Sequence, residues 1–126
     1  MQPNDAQFIV DRQLKAYNAK DIDKFMQCWS SSATYFEHPN TLLASGKNEI
    51  RERHIERFKD KHLHGTLHSR VQLKNTVVDH ETVTRTFPSG IGHMQVIAIY
   101  EVDNALITNA MFIFGDVTYL DNDWRI

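Results

Sequence analysis

Apolar residues recur at helical spacing in the first half of the chain and at a spacing of two in the second half. Ala6, Val10, Leu14 and Tyr17 predict a first helix from about Pro3 to Asn18, with Asn4 as its N-cap. Gln13 falls inside that stripe, where an amide needs either a partner or a wet cavity. Ile22, Phe25, Met26 and Trp29 follow a capping Asp21 and predict a second helix, stopped by Ser30 to Ser32. A third helix is expected from about Lys47 to Lys61. Its inner stripe, Ile50, His54 and Phe58, places a histidine between two apolar side chains, with Ile55 at the edge.

Between the second and third helices, "ATYFEHP" (Ala33 to Pro39) reads as a strand ending at Glu37, because proline forces its predecessor extended and cannot continue a ladder. A loop through Ser45-Gly46 leads to the third helix. From Leu67 onward Leu67, Val71 and Leu73 alternate with polar residues. "NTVVDHETVTRTF" predicts two strands joined by a turn at Asp79-His80-Glu81, and Pro88-Ser89-Gly90 breaks the next connection. "HMQVIAIYEV" is apolar on both faces, with Met94, Val96, Ala98 and Tyr100 on one and Ile97 and Ile99 on the other. A strand of this kind is covered on both sides, which predicts a homodimer through the outer face of the sheet. Asp103-Asn104 should turn the chain into a last strand, Leu106 to Phe114.

Composition narrows the function classes. The 126 residues fit a single domain, 1–126, with one core. A formal net charge of −2 with interspersed signs leaves no footprint for nucleic acid or an anionic membrane. The basic run around Arg51, Arg53 and Arg57 is broken by Glu52 and Glu56, the pattern of a solvated helix face. One cysteine, Cys28, predicts a reducing compartment, and no signal-like or membrane-length apolar run is seen, so a cytoplasmic location is expected. No dinucleotide, phosphate-loop or nucleophile-elbow motif is present, and no cofactor is expected. The histidines of "HLHGTLH" (His62, His64, His68) match no zinc spacing, so no metal site is expected, and Gly65 suggests a loop there.

The segments "AYNAKDIDKF" (Ala16 to Phe25), "ATYFEHP", "GKNEIRERH" (Gly46 to His54) and "YEVDNALITNAMFIFG" (Tyr100 to Gly115) fall in an order and spacing that resembles the nuclear transport factor 2-like superfamily, with its ketosteroid isomerase-like and SnoaL-like members. The resemblance covers nearly the whole chain. It implies an α+β fold: a cone-shaped, curved antiparallel sheet with three N-terminal helices packed in its concave face. It also implies a pocket, although the scaffold hosts many unrelated activities. Where the isomerase has an oxyanion-binding tyrosine, a carboxylate base, a protonated aspartic acid and a pocket tyrosine, this sequence has Gln13, His38 (beside Glu37), Ala98 and His54. Steroid isomerisation with the usual tyrosine and two aspartates is therefore not expected.

On this reading Glu37 or His38 serves as a base and His54 as an acid or orienting partner. Gln13, Tyr17, Trp29, Phe58, Met94, Ala98, Tyr100 and Phe112 line a pocket for a small hydrophobic or aromatic molecule. Arg85 alternates with Val83 and Phe87; either all three face inward and the guanidinium requires an anion, or they lie on the outer face, which is the reading favoured here. The expected function is a cofactor-independent proton transfer of the isomerase, dehydratase or cyclase type. Two alternatives are a non-catalytic binder of a hydrophobic metabolite and a protein-interaction module with a filled cone.

Overall fold

The computed structural model describes residues 5–120. Its elements are α1 (Ala6–Ala19), α2 (Ile22–Met26), β1 (Trp29–Glu37), β2 (Thr41–Ser45), α3 (Lys47–Arg57), β3 (His64–Leu73), β4 (Thr76–Phe87), β5 (Gly90–Asp103) and β6 (Leu106–Tyr119). The proposed helix start at Pro3 and cap at Asn4 lie outside the described residues. The six strands form one open sheet in the order β2-β1-β6-β5-β4-β3. This is the α+β architecture expected from the sequence, with one difference: the sheet is mixed, because β1 runs parallel to β6 while every other pair is antiparallel.

Irregularities in the pairing of β1, β3, β5 and β6 bend and twist the sheet. The helices pack against its inner face, α1 on β3, β4 and β5, and α3 on β1 and β2. The core between them is built on Val10, Phe25, Trp29, Ala33, Ile50, Ala98 and Ile107, all essentially inaccessible to solvent. Among the described residues no helix is long and apolar enough to cross a membrane.

Several local expectations are corrected. The second helix stops at Met26, and Trp29 opens β1 instead of closing the helix, because the serines that follow fit an extended run paired to β6. Thr41–Ser45 is a strand rather than a loop. The third helix ends at Arg57, and "HGTLH" belongs to β3, with Gly65 buried in it. The largest correction concerns Asp79-His80-Glu81, which makes no turn. β4 is continuous from Thr76 to Phe87, and the turn lies at Lys74, whose φ is 55°. A polar triplet inside a strand suggests a turn only while its partners are unknown. Here Arg70, opposite on β3, satisfies Asp79. At the β5–β6 hairpin Asn104 and Ala105 take φ values of 54° and 61°, the left-handed pair of a two-residue turn, one position later than expected.

Candidate functional site

The sheet and helices enclose a cavity of about 270 Å³. α1 contributes Gln13, Leu14 and Tyr17; β1 contributes Tyr35; α3 contributes Arg53, His54 and Arg57. The strands β4, β5 and β6 supply Glu81, Val83, Arg85, Met94, Val96, Tyr100, Phe112 and Phe114.

Of the residues singled out from the sequence, Gln13, Tyr17, His54, Met94, Tyr100 and Phe112 border this cavity. The others do not. Glu37 and His38 are exposed at the end of β1, outside the lining, where a charged strand end is solvated at the rim. Trp29 is completely buried beneath Tyr35 and Tyr100, with ring centroids 5.8 and 6.5 Å away. Ala98 is buried and its methyl is too short to reach the cavity. Phe58, just past the end of α3, packs edge-on against Tyr17 at 5.5 Å from outside the lining. Arg85 faces inward, so the outer-face reading is wrong for it: β4 alternates without interruption, and Glu81, Val83 and Arg85 share the concave side.

Glu81 is the residue the sequence reading missed. It is 6% exposed, and burial, reinforced by the nearby charge of Asp79 and only partly countered by Arg70, lifts its carboxyl from 4.5 to about 7. The signal was present in the sequence, in the alternation Val77, Asp79, Glu81, Val83, but it is ambiguous without the facing strand. The rim of the cavity has the opposite sign: Arg53 and Arg57 stand one turn apart on α3, facing Arg85 on β4.

His54 is buried, and its Nδ1 lies 2.8 Å from the Ile50 carbonyl oxygen. A carbonyl only accepts, so Nδ1 carries the hydrogen and Nε2 keeps its lone pair. Burial, with the like charges of Arg53 and Arg57, outweighs that hydrogen bond and lowers the imidazole from 6.5 to about 4. His54 is accordingly a neutral acceptor near pH 7, packed among Phe25 at 4.4 Å and Tyr35 at 5.5 Å. An imidazolium acid, one of the roles considered for it, is not available at that pH. Burial also raises the phenols of Tyr17, Tyr35 and Tyr100, which remain neutral donors. Among the described residues no three metal-ligating side chains are grouped to hold an ion.

Comparison with known proteins gives the same architecture. A family model described as SnoaL-like domain matches residues 10–110. No curated protein matches the chain. Among solved structures, an uncharacterised cystatin-fold protein from Novosphingobium aromaticivorans is 21% identical with a TM-score of 0.80, covering 86% of this chain and 97% of its own. A candidate SnoaL-like polyketide cyclase from Shewanella denitrificans is 10% identical with a TM-score of 0.77, covering 86% and 89%. A protein with a ketosteroid isomerase-like fold from Catenulispora acidiphila, solved with trimethylamine, is 12% identical with a TM-score of 0.73, covering 85% of each chain. At these identities the likeness concerns the fold.

Proposed function

The chain belongs to the SnoaL-like domain family, and from that premise we propose that its cavity receives a small, largely apolar molecule and moves a proton on it without a cofactor. The observation that carries this reading is one buried carboxyl, Glu81, bordering the cavity, where burial pushes its pKa up to about 7. A group poised near the working pH is half in its basic and half in its acidic form, the condition for taking a proton and returning it. In the reaction envisaged, the Glu81 carboxylate removes a proton from a carbon beside a carbonyl. The C–H electron pair moves into an enolate, whose oxygen accepts hydrogen bonds from the phenols of the wall. The protonated Glu81 then returns the proton to another carbon in isomerisation, or to a hydroxyl leaving the β-carbon as water in dehydration. In cyclisation the proton goes to the alkoxide formed when the enolate carbon attacks a second carbonyl of the substrate. Isomerisation, dehydration and cyclisation share the initial proton removal. His54 Nε2 orients a donor group of the ligand. The base thus sits on β4 and not at the end of β1.

The test is exchange of solvent deuterium into the α-positions of apolar cyclic ketones. Wild-type protein should accelerate exchange with an inflection near pH 7, and Glu81→Gln should lose about 10²-fold or more of that rate. Equal rates for the two proteins would leave a binder without catalysis.

We further propose a homodimer through the outer face of the sheet. Cross-strand register aligns Val71, Val78, Ile99 and Met111 in one apolar row across β3 to β6, with the pair Ile97 and Ile113 beside it. Val71 is 58% and Ile113 42% exposed in the single chain. Such a band across a sheet is better covered than solvated. The buried, unpaired Cys28 suits a cytoplasmic setting.

A further inference from the structure

Arg53, Arg57 and Arg85 line the cavity and also a second, open depression outside it, so all three stand at the boundary between the two. Each is half-buried. Among the described residues, none of them forms an ion pair with a carboxylate. The acids of the outer depression are otherwise engaged. Glu56 pairs with Lys59 at 3.0 Å, and Asp60 accepts from the Thr86 amide at 2.6 Å and the His62 amide at 2.9 Å. Arg85 carries the clearest sign of a missing partner: its Nε is buried without a hydrogen bond. Its guanidinium instead lies over the Phe87 ring, 4.5 Å from the centroid.

Three converging guanidinium groups without a counter-ion are costly unless something anionic completes them. Burial is the larger cause, but Arg57 and Arg53 also help to lower both the Arg85 guanidinium and the His54 imidazole, and the Asp60 charge offsets only part of this at Arg85. Glu81 does not neutralise the cluster. It stands four residues from Arg85 on the same face of β4, about 13 Å along a strand, and none of the three arginines is among the charges that shift it.

Resting on the reading of the cavity as a ligand site, we infer that its ligand is amphipathic: an apolar body that fills the aromatic interior and carries a carboxylate or similar anionic group, which Arg85, Arg53 and Arg57 hold at the mouth. Planar guanidinium groups suit a planar carboxylate. Anchoring the anion there leaves the other end of the molecule to meet Glu81, so the arginines set the orientation in which the reacting carbon approaches the base. They also favour an anionic ligand over a neutral one with the same body, which fits the apolar walls but leaves the arginines unpaired.

The probes are 2-naphthoate and 2-naphthamide, which share a body and differ in charge, titrated at pH 7 by calorimetry and by the resonances of Tyr17, Tyr100 and Met94. The expected result is a Kd for naphthoate roughly tenfold or more below that of naphthamide, as charge-assisted bidentate pairing implies. Arg85→Gln should bring the two values together, and Arg85→Lys should keep part of the preference. If Arg85→Gln fails to fold, the double variant Arg53→Gln, Arg57→Gln, on the more open face of α3, should narrow the gap as well. Equal affinity of both probes for wild-type protein, with cavity resonances shifting, overturns the anion site and leaves the cavity reading intact. If neither probe shifts those resonances, the cavity reading falls and the inference falls with it.

Discussion

Arg70 grips Asp79 with two parallel hydrogen bonds, Nε donating to Oδ1 at 2.7 Å and Nη2 donating to Oδ2 at 2.9 Å, while Nη1 donates to Asp11 at 3.0 Å. This pairing allows one strand to point two carboxylates into the protein. Asp79, fully buried, is held by Arg70; Glu81, two residues along the same face, has burial and the repulsion of Asp79, which Arg70 only partly counters. The asymmetry between the two makes Glu81 the group that titrates near neutrality.

Glu81 and His54 should leave opposing marks on the pH dependence of stability. The folded Glu81 holds its proton up to about 7 while the unfolded chain loses it near 4.5, so this group lowers stability as pH rises through that window. The unfolded His54 binds a proton near 6.5 and the folded one only near 4, so this group raises stability as pH rises through its own window. Each contributes on the order of 3 kcal/mol, and between about 4.5 and 6.5 they largely cancel. Urea midpoints should climb across that range in Glu81→Gln and fall across it in His54→Gln. Parallel profiles for both variants and the wild type would show that these groups are not shifted as described.

Gly65 stands where an added methyl group would force its neighbours to shift. A Cβ there would stand 3.0 Å from Glu81 Oε1 and 3.1 Å from Leu14 Cδ1. The backbone cannot retreat, because Asn18 accepts from the Gly65 amide at 2.7 Å and donates to its carbonyl at 2.9 Å. Gly65→Ala should cost about 1–3 kcal/mol in chemical denaturation and move the Glu81 titration, followed by carboxyl carbon NMR, away from 7. An unchanged midpoint for Glu81 would show that the carboxyl lies elsewhere.

The outer-face dimer is tested by Ile99→Glu, which puts a charge in the middle of the apolar row without touching the cavity side. Sedimentation should show a dimer for the wild type and a monomer for the variant, with the far-UV spectrum unchanged. A wild-type monomer at micromolar concentration would remove the proposal.

The sequence disclosed most of the fold and about half of the cavity wall. Helical stripes such as Ile50–His54 and the two-sided strand around Ile97 are local patterns, legible because one element's period sets which face is buried. The titratable centre was not local. Asp79 and Glu81 look like turn residues until Arg70 is set opposite them, and that partner arrives only through β3–β4 register. Glu37 and His38 drew notice through their neighbours in the chain, whereas their exposure at the end of β1 is a property of the folded sheet. Arg85 was readable in principle, since its parity with Val83 was visible, but whether that face was inner or outer required the whole sheet.

The uninterrupted alternation of β4 has a consequence for how this protein tolerates change. Val77, Asp79, Glu81, Val83, Arg85 and Phe87 occupy its concave side as one set, and successive residues of a strand look in opposite directions. Inserting a single amino acid just after the hairpin at Lys74 would invert the strand, handing the acids and the arginine to bulk water and turning His80, Thr82 and Thr84 inward. Extra residues fit only in the turn beyond the paired positions; within β4 a change of length by one reverses the facing of every side chain that follows.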